Sequence, residues 1–168
     1  MKLAQSSHVP PQGAKPRLSD LGWLVAYSVR GLLELLRARF IFVKLEPKDI
    51  LTRNRAAKAT ANTSQKIGER ELARIAYVLP RLSDRFPWRS DCLVQAIAGQ
   101  NWLKSKHASS EIQIGVENPE DGDFGAHAWL MHEDQVVTGG DIERYHLLLA
   151  DSRIDPEKRR RNAENEPQ

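Results

Sequence analysis

The chain has 168 residues, 40% of them apolar and 28% charged, with a net charge of +3 and a single cysteine. That size suits one folded domain with loose ends, and basic residues scattered rather than gathered on one stripe give no electrostatic reason to expect nucleic-acid binding. One cysteine excludes an internal disulfide and fits a reducing, cytoplasmic setting.

Residues 1–17, MKLAQSSHVPPQGAKPR, lack the continuous apolar core of a signal peptide and read as a disordered leader. The greasiest region follows at 18–45, where Arg30, Glu34, Arg37 and Arg39 interrupt the run before it reaches the ~20 apolar residues that span a bilayer. Ser19 or Asp20 is available as a helix cap, and Leu21, Leu24, Val25, Val29, Leu32, Leu33 and Leu36 keep helical spacing. Two settings suit this stretch: a buried or amphipathic helix of a soluble protein, or a peripheral membrane contact, because an apolar face beside arginines also marks interfacial helices. Pro47 punctuates the region. The polar, Ala-rich RNRAAKATANTSQK at 53–66 reads as a loop or a weak helix. A second helical pattern places Ile67, Leu72, Ile75, Ala76 and Leu79 on one side and is expected to close at Pro80.

The second half changes period. CLVQAIAGQNWL, residues 92–103, is apolar nearly all round, as a central buried helix would be. EIQIGVE alternates, with Ile112, Ile114 and Val116 on one face and Glu111, Gln113 and Glu117 on the other. NPEDGDFG is a turn-rich loop, and AHAWLMH and QVVTGG are strand candidates flanking Glu133-Asp134. IERYHLLLA looks helical, and residues 151–168 form a basic tail expected to be disordered. Helix, strand, loop, strand, tight turn, strand implies an α+β domain with a small antiparallel sheet.

Ser90 or Asp91 is a candidate cap that would put Cys92 in the first turn of the central helix. There the orphan amides and the helix dipole favour a negative charge, Pro87 fixes the approach and Arg89 adds a positive neighbour. A small apolar residue in a core is the competing reading of the same cysteine. A nucleophilic thiol needs a base oriented by a third group. His8 lies in the leader, His107 in a polar connection and His146 in the helical-looking segment; His127 and His132 share a strand but face opposite sides of it. His127, between two alanines, has room beside its ring, whereas His132 adjoins the turn and reads as solvated. A three-residue hairpin loop, or a two-residue loop with a bulge at Gly139-Gly140, sets Asp141 opposite His127. Asp134 at the hairpin tip would be roughly 20 Å away, and Asp121 and Asp123 are weaker alternatives. One cysteine and two histidines on opposite strand faces make a poor zinc site, and GDFGAHAW lacks the residues of a phosphate loop.

PWRSDCLVQAIAGQNWL, IQIGV and AHAWLMHEDQVV together resemble the transglutaminase-like cysteine proteases of lasso-peptide biosynthesis, the leader-peptidase B proteins. The similarity spans roughly residues 64–148, and its most specific marks are Cys-Leu opening the helix and His-Ala-Trp on a strand 35 residues later. It implies a transglutaminase/papain-like core at 64–150, with a small antiparallel sheet packed on the central helix and a helical region at 18–63 before it. The resemblance makes Cys92 the nucleophile and His127 the base. It places the acid about a dozen residues after the histidine strand, near Asp141, where the extra Gly-Gly shifts the count. It implies removal of a leader peptide from a ribosomally made precursor, with no cofactor of the chain's own. The implied partners are the precursor, a separate leader-recognition protein (no winged-helix module is legible before residue 64) and an ATP-dependent cyclase. A non-catalytic domain that presents a precursor to a partner enzyme is the alternative from another class.

Overall fold

The computed structural model describes residues 21–61, 67–85, 92–117 and 125–149. Its elements in chain order are α1 (Leu21–Val43), α2 (Pro47–Ala59), α3 (Glu69–Ser83), α4 (Cys92–Ser105), β1 (Glu111–Glu117), β2 (Gly125–His132), β3 (Gln135–Thr138) and β4 (His146–Leu149). The architecture is α+β: among the described residues, four helices pack together with a four-stranded antiparallel sheet of order β3-β2-β1-β4. The candidate caps Ser19, Asp20, Ser90 and Asp91, the residues Pro87 and Arg89, the NPEDGDF loop with Asp121 and Asp123, the leader with His8, and the tail lie outside the described residues.

α4 is the centre, as its all-round apolarity implies: Val94, Ala96, Ile97, Trp102 and Leu103 are buried. It packs on β2 and β1 beneath it and on α1 and α3 beside it. Ile75 and Leu79 of α3, Ile112 of β1 and Leu130 of β2 complete a continuous core. Burying such a side chain stabilises the fold by about 1.5–3 kcal/mol relative to leaving it in water.

α1 turns the other way from a simple reading of its periodicity. Its inward face carries Gly31, Leu35 and Ala38, while Leu21, Val25, Val29 and Leu33 are exposed. The reason is close approach. A Cβ on Gly31 would come 2.9 Å from the Leu82 side chain and 3.2 Å from that of Val78. Trp23 and Tyr27 extend the contact as an aromatic seam, edge-on to Tyr77 (6.1 Å) and tilted on Trp102 (5.5 Å). Among the described residues no helix is long and apolar enough to cross a membrane.

Of the stretch read as a loop or weak helix, residues 62–66 lie outside the described residues. Its first half, residues 53–59, is the end of helix α2, which begins with Pro47 in the first turn and a reciprocal Glu46–Asp49 capping box. Its purpose in the fold is carried by Asn54. This fully buried amide donates to the Ile112 carbonyl and accepts from the Ile112 N–H and from Gln100 Nε2, each at 2.9 Å. Asn54 therefore serves β1 as a neighbouring strand would. α3 runs through Pro80 instead of ending there: the proline costs one intrahelical donor, but Ser83 is buried and the Asp84 N–H still reaches the Pro80 carbonyl at 3.0 Å.

Two further differences concern histidines. The segment holding His146 is the strand β4, paired with β1, and not a helix. His132 is half-buried and donates through Nδ1 to the Ser109 carbonyl at 2.6 Å, so it ties β2 to the end of the α4–β1 connection instead of facing free solvent.

Candidate active site

Cys92 is the first described residue of α4, and α4 points that end at the middle of β2. The Ala128 N–H donates to Cys92 Sγ at 3.3 Å. That amide is free for sulfur because β3 has already left. The hairpin pairs His132 with Gln135 around a two-residue turn, Glu133-Asp134, passes a bulge, and ends at Leu130↔Thr138. Beyond it the β2 edge has no strand neighbour, and the half-exposed thiol occupies that edge.

His127 sits one residue before Ala128 and directly across from Gly115 of β1. Its side chain lies on the sheet face away from α4. There it stacks on Tyr145 at 4.7 Å and 24° and runs nearly parallel to Trp129 at 6.2 Å. Its Nε2 lies 2.7 Å from the Gly139 carbonyl. A carbonyl oxygen only accepts, so Nε2 carries the proton and Nδ1 of the neutral ring is the free base. The aromatic wall also suits an imidazolium, whose charge is attracted to a ring face.

The wall is itself held in place. Trp129 Nε1 donates to Gln113 Oε1 at 2.9 Å, and Arg144 donates to the Tyr145 hydroxyl at 2.9 Å while lying over its ring. The bond to Tyr145, then the charge of Glu117, holds the exposed Arg144 guanidinium above its ordinary value. Gly115 makes the arrangement fit, because a Cβ there would meet the Trp129 ring at 2.7 Å and the His146 carbonyl at 2.9 Å.

The structure thus brings Cys92 and His127 to one place on β2, but the two side chains do not bond to each other. Asp141 is exposed, and its Oδ1 accepts from the Glu143 N–H at 3.0 Å, shaping the turn that leads to Tyr145. Continuing the bulged register past Thr138 would set Asp141 opposite His127, but the ladder stops three pairs short. Gly139 and Gly140, at φ 114° and 67°, carry the chain away. The Gly139 carbonyl therefore holds the ring nitrogen in the position where an acid was expected. Neither it nor Tyr145 was singled out from sequence. Among the described residues no cluster of histidine, cysteine and carboxylates could hold a metal.

Gly139 admits no side chain. A Cβ would lie 2.3 Å from Trp129 Cβ and 2.9 Å from its Cα, at a φ that L-residues rarely adopt. Gly139→Ala is expected to destabilise the fold by about 3 kcal/mol, from clash and strain together. Denaturant unfolding measures the loss; a change below ~1 kcal/mol would mean that the turn relaxes freely.

A cleft of about 510 Å³ between α3 and β3 leads to this turn, lined by Tyr77, Pro80, Val136, Thr138 and Gly140 among others. β3 is an edge strand of the sheet, and the cleft runs beside it.

No curated protein and no solved structure matches the chain. A family does: the transglutaminase-like superfamily, over residues 32–150, a span that runs from within α1 past the last described strand and holds Cys92, His127 and Asp141. With a helix-borne cysteine beside a strand-borne histidine in an α+β fold, and that match over most of its length, the chain belongs to the transglutaminase-like superfamily.

Proposed function

We propose that the chain is a cysteine peptidase that removes the leader from a ribosomally made peptide precursor, of the lasso-peptide kind, and so frees the core N-terminus for a cyclase. The observation that carries this reading is the placement of the only thiol at the start of α4, against the backbone of the residue that follows His127. Contacts of a catalytic pair are often long before substrate arrives and tighten around it. His127 Nδ1 takes the thiol proton, and Cys92 Sγ attacks the carbonyl at the leader–core junction. The imidazolium then protonates the departing core amine, and water attacks the leader thioester, regenerating thiol and free carboxylate. The cleft along the edge strand β3 suits an extended peptide, which such an edge can hold through main-chain hydrogen bonds.

The Gly139 carbonyl is the orienting group in this reading, and Asp141 is the alternative. Asp141→Asn keeps an acceptor for the Glu143 amide. It is expected to lower the cleavage rate by no more than about threefold. A loss of a hundredfold or more would give Asp141 the acid's role, since an amide in that place favours the wrong imidazole tautomer. The reading as a whole is tested by incubating the purified chain with the precursor encoded beside its gene, together with a leader-recognition protein if one is encoded there. Mass spectrometry should show two fragments that sum to the precursor plus one water.

A further inference from the structure

The exposed face of α1 is apolar along its whole length: Leu21, Val25, Val29, Leu33, Phe40 and Val43 all stand in solvent, the last two about three-quarters exposed. At 1.5 Å per residue this 23-residue helix presents a ridge roughly 34 Å long. A continuous apolar ridge of that extent marks an interaction surface.

The charges around it are predominantly positive. α1 contains a single carboxylate, Glu34, which is mostly buried on the inward side beside Arg30 at 3.7 Å. The ridge itself is bordered by exposed Arg37 and Lys44. At its C-terminal end the ridge runs into an open depression of about 690 Å³ lined by Arg37, Phe40, Ile41, Lys44, Asp49 and Arg53. The one acid there is already engaged, Asp49 Oδ2 accepting the Glu46 N–H at 2.9 Å. Arg53 donates to Asn101 Oδ1 at 2.7 Å, yet its Nε is buried with no partner. Burial, and then the charge of Arg37, push the Arg53 guanidinium below its ordinary value. Three cations against one carboxylate leave a net positive charge there, suited to an anion.

We propose that α1 lies along an anionic phospholipid surface, its ridge in the acyl boundary and a headgroup phosphate in the Arg37–Lys44–Arg53 depression. An apolar face bordered by Lys and Arg is the pattern of helices that rest in a membrane interface. A second copy of the chain fits less well, because pairing this face with itself would bring cations together and supply no acid. The surface is separate from the cysteine site, and its use does not depend on the peptidase reading.

Co-sedimentation of the full chain with vesicles tests this. Binding is expected to vesicles containing phosphatidylglycerol and to be lost on pure phosphatidylcholine and at high salt. Val29→Glu combined with Leu33→Glu should weaken it at least tenfold. Arg37→Gln combined with Lys44→Gln should weaken it about 25-fold, from roughly fivefold per cation near such a surface. Both pairs are exposed, so unchanged circular dichroism and unfolding temperature should accompany these losses. Equal sedimentation with both lipids, or none with either, would overturn the proposal. So would a lipid-free dimer, seen by light scattering, that the Val29/Leu33 pair dissolves.

Discussion

Purified Cys92→Ala is expected to lose leader cleavage by at least about a thousandfold while keeping its fold. Removing the nucleophile of a hydrolytic pair leaves only binding and backbone stabilisation to accelerate the reaction. The fold should survive because the thiol is half-exposed at a helix start, and its one bond is the sulfur-to-Ala128 amide contact. A weak N–H···S bond and a few contacts amount to about 1 kcal/mol. The measurements are the single-turnover rate on the precursor and the unfolding midpoint of the variant. His127→Ala should match the loss of rate, since a thiol and its base act as one unit. Cleavage retained by Cys92→Ala would end the peptidase reading. If neither variant nor wild type cleaves, but both bind the precursor and stimulate a partner enzyme, the domain presents the peptide and does not cut it. A thiol-reactive probe adds an independent view: Cys92 in the native chain should react faster than in the His127→Ala chain.

The second large effect is on stability. Asn54→Ala is expected to destabilise the protein by about 3–5 kcal/mol, with a drop of about 10 °C in unfolding temperature. Alanine strands three buried groups at once: the Ile112 N–H, the Ile112 carbonyl and Gln100 Nε2. None is near an exposed surface, for Asn54 and Ile112 are at 0% exposure and Gln100 at 2%. A leucine of similar volume should do no better, because the polar partners stay behind. A loss under ~1 kcal/mol would mean that water reaches β1 and takes the amide's place.

What the sequence made legible follows from how local the signal is. The central helix and the β1–β3 meander rest on strong local patterns, and the structure carries them; the length of the turn at Glu133-Asp134 was open between two and three residues, and the pairing of His132 with Gln135 makes it two. β4 did not read as a strand because Leu147-Leu148-Leu149 is a short continuous apolar run, which periodicity cannot assign. Tyr145, just before it, was lost as a site residue for the same reason. α1 is apolar on two sides, so spacing alone could not say which side faces inward. Gly31 and Ala38 decided it by letting other helices approach, an effect visible only with the neighbours in place. Asn54 looked like one more polar residue of an Ala-rich stretch until the Ile112 backbone appeared opposite it. The Gly139 carbonyl is a main-chain atom, and no composition argument reaches those.

The order of the sheet has a mechanical side. β3 and β4 are consecutive in the chain yet lie on opposite edges, so residues 139–145 must cross over β2 and β1 to join them. The crossing spans three strand spacings, about 14 Å, and seven residues reach at most ~25 Å. This belt therefore has length to spare, part of it taken up by the turn in which the Tyr145 N–H reaches the Ile142 carbonyl at 3.1 Å, and it is fastened at one end by Gly139 against Trp129 and at the other by Tyr145 over His127. The rim that β3 leaves open, where the sulfur of Cys92 meets the Ala128 N–H, lies to the side of this belt.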